Sequence, residues 1–213
     1  MTIEQIFLFT LEMIGTVAFA ISGIRMSAAK HFDWFGAYTV GLVTAIGGGT
    51  LRDLMLDCPV FWMSNFWYLG VTGLSLVAVI ALKKYLLRLS TTIFIFDTIG
   101  LAMFVVIGVQ KTLLFGHPMW LAILMGTITG ALGGILRDIL INDVPLIFRK
   151  DVYATACIAG GLVYWLMMIA GFNEIVQGSA CAVTVIAVRL LAVHYGWSIP
   201  MLRNFPDDND GGQ

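Results

Sequence analysis

Apolar residues run along this chain in seven long stretches, each closed by a short polar or turn-forming cluster. They lie near Gln5–Met26, Trp34–Leu56, Asn65–Leu86, Thr91–Leu113, Met119–Ile141, Val152–Phe172 and Ile175–Tyr195. A helix needs about 20 apolar residues to cross a bilayer, so each stretch predicts a spanning helix. The punctuation is Lys30-His31-Phe32-Asp33, Asp57-Cys58-Pro59, Arg88 to Ser90, Gly116-His117-Pro118, Asn142-Asp143-Val144-Pro145 and Asn173-Glu174. Links this short make consecutive helices antiparallel neighbours. No basic segment precedes the first stretch and no small-residue cleavage site follows it, which predicts a retained span and not a signal peptide. The acidic segment after Pro206 is expected to be disordered.

The stretches are not independent. Ala45-Ile46-Gly47-Gly48-Gly49-Thr50-Leu51-Arg52-Asp53 returns as Gly130-Ala131-Leu132-Gly133-Gly134-Ile135-Leu136-Arg137-Asp138, with Arg137 placed 85 residues after Arg52. The same spacing relates Glu12 to Asp97, Gly15 to Gly100, Gly23 to Gly108, Gly41 to Gly126 and Tyr68 to Tyr153. Pro59 and Pro145 correspond after one inserted residue. Agreement over three spans indicates a duplication. Each copy has an odd number of helices and no linker helix separates them, so the second copy inserts upside down. The predicted fold is an all-α integral membrane protein with two inverted three-helix repeats and one C-terminal helix. Residues 1–88 and 89–173 form the repeats, 174–196 the seventh helix and 197–213 a cytoplasmic tail.

Glycine costs about 1 kcal/mol relative to alanine inside a helix, so Gly47–Gly49 and Gly133-Gly134 predict a break in the second and fifth helices. Backbone freed by such a break must face protein or a wet cavity. Two inverted breaks facing one another suit an ion or substrate path, and close helix packing is the structural alternative. The other repeated glycines are assigned mostly to packing.

Charge sharpens the picture because so little of it is present. Only 12% of the residues are charged and 59% are apolar, against roughly 25% charged in soluble domains. An ionised side chain near the bilayer centre costs about 2.5–3.5 kcal/mol and needs a partner or water. Helix depth predicts two related bridges, Glu12–Arg52 and Asp97–Arg137, as staples or as gates. Asp53 and Asp138 are then left to face the path near its two mouths. Arg189 has no counterpart in the repeat and is expected to snorkel to the inner surface. Arg25, Lys30, Lys83, Lys84, Arg88, Arg149, Lys150 and Arg203 collect on one side and only Lys111 on the other. The positive-inside rule then predicts an external N-terminus and a cytoplasmic C-terminus.

These residues resemble a known family. The paired Gly-Gly-x-x-Arg-Asp segments, the proline after each, the helix layout and the orientation are similar to the prokaryotic trimeric intracellular cation channels, over essentially Ile6 to Tyr195. The resemblance implies a homotrimer in a bacterial or archaeal inner membrane, with a pore in each subunit between the second and fifth helices. It implies passage of monovalent cations, chiefly potassium. Pore-lining and hinge positions carried over are Gly47, Gly48, Gly49, Thr50, Asp53, Gly133, Gly134 and Asp138, with a transient cation near Gly48, Thr50 and Gly134. The Thr50 hydroxyl, with Thr127 or Thr129, would replace part of the hydration shell. Animal members carry a Lys-Glu-Val segment in the second span; this chain has glycines there, so phosphoinositide regulation is not carried over. Related families are also labelled glycine transporters, and a secondary transporter of glycine or another small zwitterion is the alternative.

Enzymatic chemistry finds little support. His31, His117 and His194 lie at different levels, and Cys58, Cys157 and Cys181 read as small apolar residues. Trp34, Trp62, Trp67, Tyr68, Trp120, Tyr153, Tyr195 and Trp197 fit interfacial belts. Lipids are expected partners; no cofactor, tightly bound metal or nucleic acid is.

Overall fold

A computed structural model describes residues 2–82, 91–149 and 152–198. Seven α-helices make up the described fold: α1 (Ile3–Ala29), α2 (Trp34–Met55), α3 (Trp67–Ala81), α4 (Thr91–Leu114), α5 (Met119–Leu140), α6 (Ala154–Ile169) and α7 (Glu174–Tyr195). A 3-10 turn, Leu146–Phe148, lies between α5 and α6. α1, α4, α5 and α7 are long and apolar enough to cross a membrane, while α3 and α6 are shorter apolar helices. The sixth span is thus shorter than its apolar stretch in the sequence, and the end of the third stretch, 83–86, lies outside the described residues. Lys83, Lys84, Arg88, Lys150, Arg203 and the acidic tail lie outside the described residues.

Local chemistry sets the helix ends. The Thr2 hydroxyl and the Gln5 side chain form a reciprocal capping box on α1. Asp33 accepts from the Gly36 amide at 2.7 Å and starts α2; Asn173 does the same for α7 through the Val176 amide. The exits repeat with the sequence. His31 and Gly116 both have positive φ after α1 and α4, and Asp57 and Asn142 have positive φ after α2 and α5. Each pair is separated by 85 residues. Aspartate, asparagine and glycine are the residues that tolerate the left-handed conformation at least cost.

The two halves are inverted with respect to each other, and side-chain contacts show it. Gly15 packs against Phe104, and Gly100 against Phe19, so α1 and α4 run antiparallel although they are equivalent in sequence. Phe19 and Phe104, themselves equivalent, stack with ring centroids 5.3 Å apart on the line between the halves. α2 and α5 also cross antiparallel, Gly48 meeting Thr129 and Gly133 meeting Thr44, and α7 packs on α6 and α4. Many apolar side chains point outward, including Trp34, Phe35, Leu74 and Phe148. A surface of this kind suits lipid or other subunits and not water.

The expected breaks in the second and fifth helices are absent. α2 continues as α-helix through Gly47, Gly48 and Gly49, and α5 through Gly133 and Gly134. Close packing, not unwinding, accounts for these glycines. In a tightly packed helical interior, one missing Cβ lets two backbones meet while each keeps its own hydrogen bonds.

Candidate functional site

The site is built on the crossing of α2 and α5. A Cβ on Gly48 would run into the carbonyl oxygen of Thr129, and one on Gly133 into the carbonyl oxygen of Thr44. Gly48 and Gly133 are sequence equivalents, as are Thr44 and Thr129. Both threonine hydroxyls are spent within their helices, donating at 2.6 Å to Val40 O and Met125 O. Neighbouring glycines serve other contacts. Gly47 abuts Leu136, Gly49 makes room for the Phe61 ring, and Gly134 for the Tyr153 hydroxyl. Thr50 Oγ1 donates to Ile46 O and accepts from Trp62 Nε1. Gly48, Thr50 and Gly134 therefore meet different neighbours and do not converge on one point. Thr127 Oγ1 donates to Ile123 O.

A buried charge cluster lies at each end of this crossing. In the first, Arg52 Nε meets Asp53 Oδ1 at 2.7 Å, and Lys111 Nζ reaches the same oxygen at 2.8 Å. The Phe61 amide donates to Asp53 Oδ2. In the second, Arg137 Nε meets Asp138 Oδ1 at 2.8 Å, and the Leu146 amide donates to Asp138 Oδ2 at 3.0 Å. Phe61 and Leu146 stand 85 residues apart, so each Asp closes the loop that leaves its own helix.

Asp53 and Asp138 thus do not stand free, although Asp138 also borders a cavity. Both are buried, and their carboxylate oxygens are engaged by arginine and backbone amides. A charge at a helix end reads in sequence as a mouth residue; a loop amide aimed at it is visible only in three dimensions.

The two acids expected in bridges part company. Asp97 meets Arg137 Nη1 at 2.6 Å, as its spacing indicated. Glu12 does not bridge Arg52; it accepts a hydrogen bond from Tyr68 Oη at 2.8 Å. Arg189 does not snorkel. It is 3% exposed, bridges Asp97 Oδ2 at 2.6 Å, and lies over the Tyr153 and Phe94 rings. One carboxylate therefore holds two guanidiniums, a buried triad with both acid oxygens paired. Ser22 Oγ receives a further hydrogen bond from Arg137 Nη1.

Tyr68 and Tyr153 were expected at an interface. Lys111 sits in the last turn of α4 and pairs with Asp53, and both tyrosines are buried inside the clusters. The missed signal was available for the tyrosines, since both recur at the repeat spacing. A repeat preserves inward positions more readily than lipid-facing ones.

A cavity of about 590 Å³ opens beside the second cluster. Its charged lining is Asp97, Asp138, Arg137, Arg149 and Arg189, three cations against two anions.

A family model described as "Glycine transporter" matches residues 9–84 and 94–168, two segments whose starts are again 85 apart. A membrane protein of Vibrio cholerae is 38% identical over 195 residues, covering 91% of this chain and 82% of that protein. The inner membrane protein YadS of Escherichia coli K12 is 37% identical, covering 90% of this chain and 94% of its own. Among solved structures, the trimeric intracellular cation channel orthologue from Rhodobacter sphaeroides matches with a TM-score of 0.84 and 29% identity. That match covers 89% of this chain and 98% of the orthologue. A trimeric intracellular cation channel of C. elegans shares the fold alone, with a TM-score of 0.59 and 12% identity over 86% of this chain and 89% of that one. The chain belongs to the family of prokaryotic trimeric intracellular cation channels, and it is an integral membrane protein.

Proposed function

We propose that this protein is a cation channel of the inner membrane, passing potassium through a path between α2 and α5 in each subunit of a homotrimer, and that it is not an enzyme. The observation that carries the reading is the crossing itself. Two equivalent glycines cover two equivalent carbonyls, and a buried charge cluster flanks the crossing on either side. With no Cβ between them, α2 and α5 are in contact, which corresponds to a closed path. Separation of the helices uncovers the carbonyl oxygens of Thr44 and Thr129, ligands suited to a monovalent cation. The solved relatives named as cation channels, and as trimeric ones, support the same assignment.

The outward apolar faces support subunit and lipid contacts. The N-terminus is assigned to the outside and the C-terminus to the cytoplasm, which puts the 590 Å³ cavity with Arg137, Arg149 and Arg189 on the cytoplasmic side.

Carriage of glycine or another small zwitterion is the second reading. It is favoured by that cavity, whose paired arginines and aspartates match a carboxylate and an ammonium, and by the description of the matching family model. Purified protein in a planar bilayer under a potassium gradient separates the two. Unitary currents that reverse near the potassium equilibrium potential and ignore added glycine support the channel. A silent bilayer together with saturable glycine uptake into liposomes overturns it in favour of the carrier.

A further inference from the structure

Each half of the molecule holds an acid, an arginine and a tyrosine at equivalent positions, yet the two halves pair them differently. In the first cluster the acid has taken the tyrosine: Tyr68 Oη donates to Glu12 Oε2 at 2.8 Å. Arg52 Nη1 and Nη2 then donate to no atom among the described residues, although the residue is 1% exposed. In the second cluster the acid has taken the arginine: Asp97 and Arg137 meet at 2.6 Å. There Tyr153 Oη, also in a residue 1% exposed, and Arg137 Nη2 are the atoms without a partner among the described residues.

We propose that these are the two positions of one carboxylate switch. The first cluster rests in its tyrosine position and the second in its arginine position. The Glu12 carboxylate exchanges between Tyr68 on α3 and Arg52 on α2.

Three features argue for exchange in the first cluster. A buried guanidinium with two unmatched N–H edges carries an uncompensated desolvation cost, so Arg52 gains from any acceptor that reaches it. Glutamate has one more rotatable bond than the aspartate at the equivalent position, which gives its carboxylate reach. Among the described residues no second cation bridges Glu12: Lys111, the other cation of the cluster, pairs with Asp53.

The second cluster is locked by contrast. Asp97 is clamped by Arg189 as well as Arg137, and Arg137 is tied to Ser22 and Asp138. One half therefore serves as a fixed anchor while the other can move. The exchange shifts the tether of α1 from α3 to α2, the helix that carries Gly48 to the crossing. The inference stands on the paired geometries alone and holds whether the protein is a channel or a carrier.

The test uses full-length protein. A double-mutant cycle of Glu12→Gln and Arg52→Gln, read from unfolding in mixed micelles, is run with Tyr68 and again with Tyr68→Phe. The coupling is expected to be under about twofold in the folding equilibrium with Tyr68 present and to rise to about tenfold in the phenylalanine background. Equal coupling in both backgrounds overturns the switch.

Maleimide labelling of the native Cys58 thiol gives an independent reading. Cys58 is partly exposed just beyond Asp53, while Cys157 and Cys181 are buried and silent. Tyr68→Phe is expected to change the Cys58 labelling rate by about threefold or more, and adding Glu12→Gln to restore it. An unchanged rate overturns the proposal. If Tyr68→Phe fails to fold, Glu12→Gln in the wild-type background asks the same question, since it keeps an acceptor for Tyr68 and removes the charge that attracts Arg52. Labelling about threefold slower than wild type supports the exchange, and an identical rate refutes it.

Discussion

Gly48 lies against the backbone carbonyl of Thr129 with no room for a β-carbon between them. Its equivalent, Gly133, meets the carbonyl of Thr44 in the same manner. The contact is backbone on backbone, so neither side can yield by turning a side chain.

Gly48→Ala is therefore expected to force the two helices apart, at a cost of about 1–3 kcal/mol typical of overpacking. Unfolding in mixed micelles should show the loss, and bilayer recordings a higher open probability. Gly70→Ala is the control. Nothing lies within 4 Å of a Cβ there, and the residue sits in α3, so stability should rise by about 0.4–1 kcal/mol. Equal effects of the two substitutions would refute the crossing as the tight point.

Asp97→Asn should be among the most damaging single changes. It leaves Arg137 and Arg189 buried without their shared carboxylate, and breaking such a buried pair costs about 3–5 kcal/mol. Adding Arg189→Met removes one orphaned cation and is expected to recover part of the loss. Lys111→Met should cost no more than about 2 kcal/mol, because Asp53 keeps Arg52 Nε and the Phe61 amide. Ranking the three variants by unfolding midpoint checks the assignment.

The loop after α5 carries a separate, solvent-facing pair. Arg149 Nη2 meets Asp143 Oδ1 at 2.8 Å, and both side chains are exposed. Slight burial pushes the Asp143 carboxyl up, but the Val144 amide and Arg149 outweigh it and hold the group below its usual value of 3.8. The folded value lies below the unfolded one, so the stabilisation is present above about pH 4 and fades as the pH falls through the folded value. The stability difference between wild type and Asp143→Asn should stay constant from pH 8 to 5 and shrink below about pH 4. A difference that grows on acidification would contradict the pairing.

Arg149 also lines the 590 Å³ cavity and opposes the accumulation of cations there. If cations pass through this mouth, Arg149→Ala should raise unitary potassium conductance at low ionic strength. The gain should fade at about 1 M salt, where the Debye length is about 3 Å. Conductance insensitive to salt and substitution alike would move the path away from the cavity.

The seven apolar stretches, the 85-residue duplication and the inverted relation of its halves follow from the sequence alone. Apolar length and an odd helix count per repeat constrain them before any packing is known. The Asp97–Arg137 bridge was legible for the same reason, since helix depth is nearly linear in residue number. Where the acids and arginines went was decided by the tertiary structure. Glu12 chose Tyr68 over Arg52, Asp53 and Asp138 turned onto loop amides, and Arg189 came in from α7, a helix with no equivalent in the repeat. Partner choice among several buried groups rests on angles and gaps of an ångström, which spacing does not encode. The glycines show the same division. The sequence marks them as a discontinuity in side-chain bulk, and only the opposing helix determines that the discontinuity is filled by another backbone and not by a break.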